Sequence, residues 1–353
     1  MKVALITDTH FGARSDNLAL LDYQKKFYDT VFFPYLDEHY IHTVFHLGDL
    51  VDRRKYINVN TANRMRKDFI EPLNGRDLHI IPGNHDVYYK NSNEINSLKE
   101  LLGDKENIKI YMQPTVITVD KAQILMLPWI CDENRKQCFN AISKAKAPIL
   151  FGHLELVGFE MHKGHFCDVG LHKESFEKFD VVCSGHFHHK STYQNINYLG
   201  SPYEMTWADY GDVKGFYTFD TETYELEFIE NPLRLFQKVH YSDSKKGYEK
   251  LLDVDYSYIS NTYVKVIVKD KTNPFFYDRF IQKLEDQGPV DIKAVDDHLN
   301  IALDDDSDII NQAESTLEIL SKTIDQSGIE IKYKKPLENL LRTLYNEASI
   351  LQA

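Results

Sequence analysis

Short apolar runs alternate along the chain with longer stretches that repeat their apolar residues every three or four positions. The runs end at glycine or a polar residue, which predicts buried strands over 2–7, 42–48, 78–82, 148–152 and 179–185. The longer stretches, 17–39, 60–71, 93–102 and 134–146, have helical spacing, and Pro34 is expected to kink or split the first. This alternation predicts an α/β core, a mixed sheet system covered by helices.

The pattern changes in the second half of the chain. Residues 215–229 alternate on both sides of a Thr-Glu-Thr turn, which predicts a hairpin. A second strand-and-helix unit at 262–300 is followed by acidic sequence and by two amphipathic helical stretches, at 310–324 and 337–351. We therefore expect three domains, at 1–240, 241–303 and 304–353.

Composition narrows the class of protein. The chain has 353 residues, more than one compact core usually holds, and a hydrophobic content of 42%, which argues against disorder. No stretch approaches the roughly 18–20 apolar residues of a membrane span, and an acid at position 8 comes too early for a secretory signal. The four cysteines show no CxxC pairing and are expected to be reduced thiols. A cytoplasmic protein without membrane contact is expected.

The negative charge is concentrated in one segment. Residues 291–330 hold eleven Asp and Glu against two Lys, a net of −9, so the rest of the chain accounts for only −4 of the total of −13. The usual argument of an acidic chain against a nucleic-acid partner is therefore weak. Basic clusters occur at 53–55, 64–67 and 245–246, although each alone is more simply explained as a solvated surface.

Polar side chains follow each of the five predicted strands. The segments are, in order, Asp8-Thr9-His10, Gly48-Asp49-Leu50-Val51-Asp52, Gly83-Asn84-His85-Asp86, Gly152-His153 and Gly185-His186-Phe187-His188. Because the carboxyl ends of strands are where sites assemble in α/β sheets, we expect these residues to meet. Their oxygen and nitrogen donors, without cysteine, suit two Mn²⁺- or Mg²⁺-like ions rather than a structural zinc.

Taken singly, such residues have plainer explanations. The chain has 15 histidines, and any one is more often part of a core or surface; Asp49 alone could cap a helix and Asn84 could serve a turn. Polar residues at all five strand ends are improbable by chance. The remaining candidates are expected not to bind metal: His42, His46, His162, His165, His172 and His189.

The series DTH, GDLVD, GNHD, GHLE and GHFH, spread over residues 8–188, resembles the calcineurin-like metallophosphoesterase superfamily. GSPYEMTW (200–207) and KGFYTFD (214–220) resemble the segment that closes the nuclease domain in the SbcD-type DNA-repair nucleases, a group that includes the recombination endonuclease subunits of T-even-like phages. The resemblance implies a four-layer sandwich of two mixed β-sheets flanked by helices over 1–240. It also implies a smaller α+β domain that caps DNA at 241–303 and a C-terminal helical segment at 304–353.

The resemblance also implies a two-metal site, with Mn²⁺ preferred and Mg²⁺ suitable. One ion would be held by Asp8, His10, Asp49 and His188, and the other by Asp49, Asn84, His153 and His186. His85 would protonate the leaving oxygen or stabilise the phosphorus, kept cationic by a neighbouring carboxylate. Asp52 stands where some of these nucleases have histidine, and GDLVDR resembles the GD-x-x-DR segment of protein phosphatases. Asp52 is therefore assigned as the partner of His85, with a helix N-cap as the alternative.

The function implied is a two-metal DNA exonuclease and endonuclease in recombination, repair and replication. It would be the nuclease subunit of a complex with an SbcC-like ABC-type ATPase, as a homodimer within a heterotetramer, and the helices after residue 304 would bind the ATPase. Contacts with DNA phosphates are expected at Arg53, Arg54, Lys55, Arg64, Arg66 and Lys67.

Two other classes of function remain open. In a protein phosphatase or cyclic-nucleotide phosphodiesterase of the same superfamily, Arg53 would bind phosphate. Against that class stand GNHD, the GHFH pair and the long C-terminal extension. A non-catalytic scaffold would be expected to have lost ligands, whereas all seven ligand positions and His85 are filled.

Overall fold

The computed structural model describes residues 1–296, apart from 104, 163 and 245, together with Leu337 and Leu340. The chain divides into two units, one of residues 1–205 and 209–298 and one of 206–208 and 299–353. The helices expected after residue 304 lie outside the described residues. Within the described part, no helix combines the length and apolar character that crossing a membrane requires.

The first unit is built mainly of short strands. They are β1 (Lys2–Ile6), β2 (Thr43–His46), β3 (Asp77–Ile80), β4 (Val87–Tyr89), β5 (Ser92–Asn96), β6 (Ile108–Ile110), β7 (Thr115–Val119), β8 (Ala122–Leu127), β9 (Ile149–His153), β10 (Glu160–His162), β11 (His165–Phe166), β12 (Val181–Gly185), β13 (Ser191–Tyr193), β14 (Ile196–Tyr198), β15 (Gly215–Asp220), β16 (Leu226–Glu230), β17 (Phe236–Ser242), β18 (Tyr263–Asp270) and β19 (Asp291–Asp296).

The helices lie between these strands. They are α1 (Ala13–Asp16), a short turn with left-handed residues, α2 (Leu18–Phe27), α3 (Phe33–Glu38), α4 (Val59–Met65), α5 (Ser97–Leu102), α6 (Arg135–Lys144) and α7 (Pro274–Glu285). Tyr28–Phe32 and Arg66–Ile70 are π-helical, and short 3₁₀ turns occur at Glu71–Leu73, Lys173–Phe176, Trp207–Asp209, Tyr248–Leu252 and Ser257–Ile259.

Two six-stranded sheets form the centre of the unit. The first has the order β16-β15-β1-β2-β3-β6, in which β1, β2, β3 and β6 are parallel and the β15–β16 hairpin adds antiparallel to β1. The second has the order β13-β14-β12-β9-β8-β7, with a parallel centre and an antiparallel strand at each edge. Both sheets are therefore mixed, as the sequence predicts.

Apolar side chains from the two sheets share one core. Leu5 and Phe45 of the first sheet and Phe151 and Cys183 of the second belong to the same buried cluster. Burying a side chain of this size stabilises the fold by about 1.5–3 kcal/mol. The four-layer class is confirmed, since helices cover the outer faces of both sheets.

Each outer face has its own contact with a helix. On the first sheet, Phe32 packs edge-on against Phe216 of β15, with ring centroids 4.9 Å apart. On the second, Cys138 and Ile142 of α6 join the core that contains Leu150 of β9.

A smaller sheet of three parallel strands, β17-β18-β19, follows the second sheet in the chain. Helix α7 connects β18 to β19 and buries Phe276, Phe280 and Leu284 against this sheet. Asn273 caps the start of α7, because its side chain accepts a hydrogen bond from the N–H of Phe276 at 3.1 Å. The first strand of this smaller sheet, β17, begins at Phe236, before the domain boundary expected at residue 241.

The structure corrects one predicted helix and divides another near Pro34, where a kink or split is expected. The helix expected over 93–102 begins only at Ser97, because Ser92–Asn96 forms a hairpin with β4 and the side chain of Asn96 caps the helix. The helix expected over 17–39 is divided at its middle by a π-helical segment, after which Pro34 occupies the first turn of α3.

Candidate metal centre

Five parallel strands direct their carboxyl ends to one place. β1, β2 and β3 are neighbours in the first sheet, and β9 and β12 are neighbours in the second. The segments that follow them touch across the two sheets: the N–H of His186 donates to the carboxylate of Asp8 at 3.1 Å, and Nδ1 of His153 donates to the Leu47 carbonyl at 2.7 Å. The site therefore lies where the two sheets meet.

The backbone at this place is strained. Asp8, His10, Asp49 and His186 have positive φ angles of 52°, 43°, 56° and 94°, in the left-handed region that residues with a Cβ rarely adopt. Gly48, at φ 97°, also has no room for a side chain, because a Cβ there would lie 2.5 Å from Nδ1 of His153. Such strain persists only where the surroundings impose it, and it is common at functional sites.

The first group of candidate ligands consists of Asp8, His10 and His188, all buried. The Nε2 atoms of the two imidazoles face each other at 3.0 Å, and Oδ1 of Asp8 lies 3.9 Å from Nε2 of His10. Asp49 approaches the same nitrogen through Oδ2 at 3.7 Å. Two buried imidazole nitrogens aimed at each other between carboxylates are the arrangement that a divalent cation fits.

The second group consists of Asp49, His153 and His186, again buried, with Asn84 beside them. Oδ1 of Asn84 lies 3.0 Å from Nε2 of His153 and 2.9 Å from Nδ1 of His186. Oδ2 of Asp49 lies 3.3 Å from Nε2 of His153. Asp49 thus contacts both groups, so these two candidate metal sites share one carboxylate.

Electrostatics follow from this crowding of carboxylates. Burial lowers the pKa of His153, but Asp49 and Asp8 outweigh it and raise the value to about 9. His10 likewise reaches a pKa of about 9, since Asp52, Asp49 and Asp8 act against burial. The pKa of Asp49 falls well below its usual range despite burial, mainly because of His153 and His85. The carboxylates therefore stabilise the protonated form of both imidazoles, and a cation bound to these histidines would replace those protons.

His85 lies beside the first group. Its backbone N–H donates a hydrogen bond to Oδ1 of Asp49 at 2.7 Å. Its imidazole ring meets that of His10 edge-on, with ring centroids 4.8 Å apart, and its Nδ1 donates a hydrogen bond to the backbone carbonyl of Asp52. The carboxylate of Asp52 is 3.5 Å from Nδ1 of His10 instead. Burial lowers the pKa of His85 more than the nearby carboxylates raise it, which differs from the cationic state expected from sequence.

Asp86 braces the loops that carry the candidate ligands. Its carboxylate accepts hydrogen bonds from the N–H groups of Gly83, Asp49, Leu50 and Val51 at 2.8 to 3.2 Å. It therefore ties the loop after β3 to the loop after β2 and holds Asp49 in its left-handed conformation.

Trp129 covers the second group. Its ring centroid lies 5.2 Å from that of His186 and 5.9 Å from that of His153. The Trp129 carbonyl accepts hydrogen bonds from the side chains of Asn93 and Asn134, at 2.8 and 2.9 Å, which fix this segment. No sequence signal marked this tryptophan.

The predicted DNA-binding residues differ in their surroundings. Arg53 pairs with Asp16 at 2.9 Å and stacks on Tyr56, and Arg64 and Arg66 also form ion pairs, whereas Lys55 and Lys67 are exposed. Arg54 has a buried Nη1 without a hydrogen-bond partner, and burial lowers the pKa of its guanidinium although the charge of Asp49 acts in the opposite direction.

The other histidines lie outside the candidate metal groups of the described residues. His46 is buried, and its Nε2 lies 3.0 Å from the hydroxyl of Thr9. His189 lies 3.0 Å from the carboxylate of Asp212, and the ring of His162 is 6.3 Å from that of His188.

Comparisons with known proteins agree with this geometry. The family model described as calcineurin-like phosphoesterase matches residues 1–190. Exonuclease subunit 1 of Enterobacteria phage T4 is 34% identical over 272 residues, 76% of this chain and 77% of that protein. The SbcD subunit of the SbcCD nuclease from Staphylococcus epidermidis is 26% identical over 311 residues, 78% of each chain.

One solved structure, from work on an archaeal phosphodiesterase, is 18% identical and covers 65% of this chain and 100% of its own. Its TM-score of 0.35 is too low to support an argument about the fold. The family model and the phage relative by themselves show to which family the chain belongs. The chain belongs to the calcineurin-like phosphoesterase family.

Proposed function

We propose that the protein is a two-metal DNA nuclease that hydrolyses phosphodiester bonds in DNA recombination, repair and replication. The observation that carries the proposal is the pair of buried ligand groups that share Asp49, with His85 beside them. Two relatives whose names describe nuclease subunits support DNA as the substrate.

In this proposal one cation is held by Asp8, His10, Asp49 and His188, and the other by Asp49, Asn84, His153 and His186. Mn²⁺ is preferred and Mg²⁺ is suitable, because the ligands are oxygen and imidazole nitrogen without thiolate. Such a pair of cations supplies Lewis acidity towards a phosphodiester and makes a water molecule more acidic.

The roles of the protein's own residues follow from their contacts. The Asp52 carbonyl can only accept a hydrogen bond, so Nδ1 of His85 carries a proton and Nε2 is the atom that exchanges a proton with the leaving oxygen. The negative charge of the bound phosphodiester raises the pKa of His85 against the effect of burial. Asp52 supports His85 through its backbone and His10 through its carboxylate.

Contact with DNA phosphates is assigned first to Arg54. A cation with an unpaired buried nitrogen is costly unless it meets an anion, and a phosphate would supply one. Weaker contacts with DNA phosphates, farther from the metal centre, are assigned to Arg53, Lys55, Arg64, Arg66 and Lys67. Because Arg53 is occupied by Asp16 and Tyr56, the phosphatase alternative, which needs that arginine for phosphate, is disfavoured.

The partner assignments extend the proposal beyond the described residues. We infer that the chain is the nuclease subunit of a complex with an SbcC-like ATPase, as a homodimer within a heterotetramer. The unit at 241–303 would cap bound DNA, and the segment at 304–353 would bind the ATPase. Both relatives are themselves named as subunits, which supports this inference.

The test compares three substrates with Mn²⁺: a labelled oligonucleotide, bis-p-nitrophenyl phosphate and a phosphopeptide. Wild type should cleave the oligonucleotide, and His85→Ala should lose about 10³–10⁵ of that rate while retaining two metal ions, because His85 is not a ligand. His42→Ala, at an exposed histidine, is the control and should behave as wild type. Preference for the phosphopeptide would favour the phosphatase, and loss of metal in His85→Ala would refute its role.

A further inference from the structure

The two nitrogens of His186 have different surroundings. Nδ1 lies 2.9 Å from Oδ1 of Asn84, within the second group of candidate ligands. Nε2, on the opposite side of the ring, is buried and has no hydrogen-bond partner. If Nδ1 binds a cation, Nε2 must carry the proton, and a buried N–H without an acceptor is destabilising.

The nearest carboxylate to that nitrogen belongs to Glu155. Its Oε1 lies 3.6 Å from Nε2 of His186, which is just beyond hydrogen-bonding distance, and its side chain is 29% exposed. Among the described residues, Glu155 is not part of any candidate metal group. It therefore lies behind the His186 ring, and a small rotation would close the hydrogen bond.

The backbone of Glu155 is fixed by a neighbouring loop. Its carbonyl accepts a hydrogen bond from the N–H of Leu171 at 2.7 Å. Gly170 passes so close that a Cβ there would lie 2.5 Å from this carbonyl oxygen and 3.3 Å from Cγ of Glu155. The loop thus limits where the carboxylate can go.

The first group has the same arrangement. Nε2 of His10 faces His188 and Asp8, and its Nδ1, which also lacks a hydrogen-bond partner, lies 3.5 Å from the carboxylate of Asp52. Each group therefore contains one histidine with a carboxylate behind it.

We propose that Glu155 is a positioning residue for the second metal ion. It accepts the Nε2 proton of His186 and so fixes the tautomer in which Nδ1 is free to bind the cation. The inference rests on the two-metal site proposed above and adds a residue that is not itself a ligand.

Binding of Mn²⁺, followed by calorimetry and by electron paramagnetic resonance, tests the proposal without reference to activity. Wild type should bind two ions and give the signal of a coupled Mn²⁺ pair. Glu155→Ala should weaken the second binding step by about 10–100-fold and lose the coupled signal at two equivalents. Glu155→Asp, which withdraws the carboxylate by one carbon, should fall between the two.

Glu155→Gln separates hydrogen bonding from charge. Its carbonyl can accept the same N–H, so affinity should stay within about threefold of wild type. Glu160→Ala is the matched control, because its carboxylate, of similar exposure, lies 3.6 Å from His189, which is not a candidate ligand. This variant should bind Mn²⁺ as wild type does.

Two results would overturn the proposal: unchanged binding in Glu155→Ala, or a loss in Glu155→Gln as large as that in Glu155→Ala, which would assign Glu155 a role through its charge. A wild-type chain that binds fewer than two ions would instead refute the two-metal site itself. The two failures are therefore distinguishable.

Discussion

Replacing Glu204 by glutamine is expected to change how the stability of the fold depends on pH. Glu204 is fully buried, and its Oε2 accepts hydrogen bonds from the N–H groups of Leu235 and Phe236, at 2.6 and 3.0 Å. Its Oε1 is buried without a partner. Burial therefore raises the pKa of Glu204 from 4.5 to about 7.

The sign follows from where the proton is held. Between pH 4.5 and 7 the folded chain keeps the Glu204 proton while the unfolded chain loses it, so the free energy of unfolding falls as pH rises through this window. A difference of about 2.5 pKa units at about 1.36 kcal/mol each corresponds to about 3 kcal/mol. Glutamine keeps the acceptor and removes the titration, so the advantage of Glu204→Gln should grow with pH.

Urea unfolding at pH 5 and pH 8 measures this advantage. Glu204→Gln should be close to wild type at pH 5 and more stable at pH 8, with the gap widening by about 2–3 kcal/mol. Glu225→Gln, at an exposed position of the β15–β16 connection, should show no such change. An equal gap at both pH values would refute the reasoning, since Glu204 would then not titrate differently in the folded and unfolded chains.

Two further predictions concern DNA and the partner. Arg54→Ala should weaken DNA binding at low salt and reduce the slope of log affinity against log salt by about 0.7–0.9. Arg53→Ala should change this slope less, because Arg53 is already paired with Asp16. Equal slopes for the two variants, measured by fluorescence anisotropy, would contradict the assignment. A chain ending at residue 304 should fold and retain Mn²⁺-dependent cleavage of short single strands but no longer co-purify with an SbcC-like ATPase; an insoluble product, or undiminished co-purification, would show that residues 305–353 have another role.

The sequence located the strands and candidate ligands of the site well because both depend on local order. A strand followed by glycine and a polar residue is a local signal, and β1, β2, β3, β9 and β12 lie within one or two residues of their predicted bounds. The carboxyl ends of neighbouring parallel strands lie at the same edge of their sheet, and sites assemble at that edge.

Contacts between distant residues were beyond such reasoning. Asp86 and Glu155 adjoin the predicted residues, yet what each carboxylate touches depends on how loops from other strands pass it. The Ser92–Asn96 strand was missed for a similar reason, because its partner β4 is only three residues long and its spacing also fits a helix.

The segment at 200–220 shows how far a metal site depends on residues away from it. The hydroxyl of Tyr203 donates to the carbonyl of Thr9 at 2.6 Å, between the candidate ligands Asp8 and His10. Lys214 donates to the carbonyl of His188 at 2.8 Å. This lysine is buried, and it is tolerated there because carboxylates of Asp209 and Asp212 lie 2.7 and 3.0 Å away and raise its pKa against the effect of burial.

Glu204, in the same segment, holds the beginning of β17. One stretch of chain therefore fixes the backbone on two sides of the first metal group and attaches the smaller sheet to the strands that carry the site. Lys214 in KGFYTFD would pass for an exposed turn residue from its sequence alone, since only the fold brings Asp209, Asp212 and the His188 carbonyl to its ammonium group. The residues of this segment therefore act on the candidate metal centre through the backbone of its ligands.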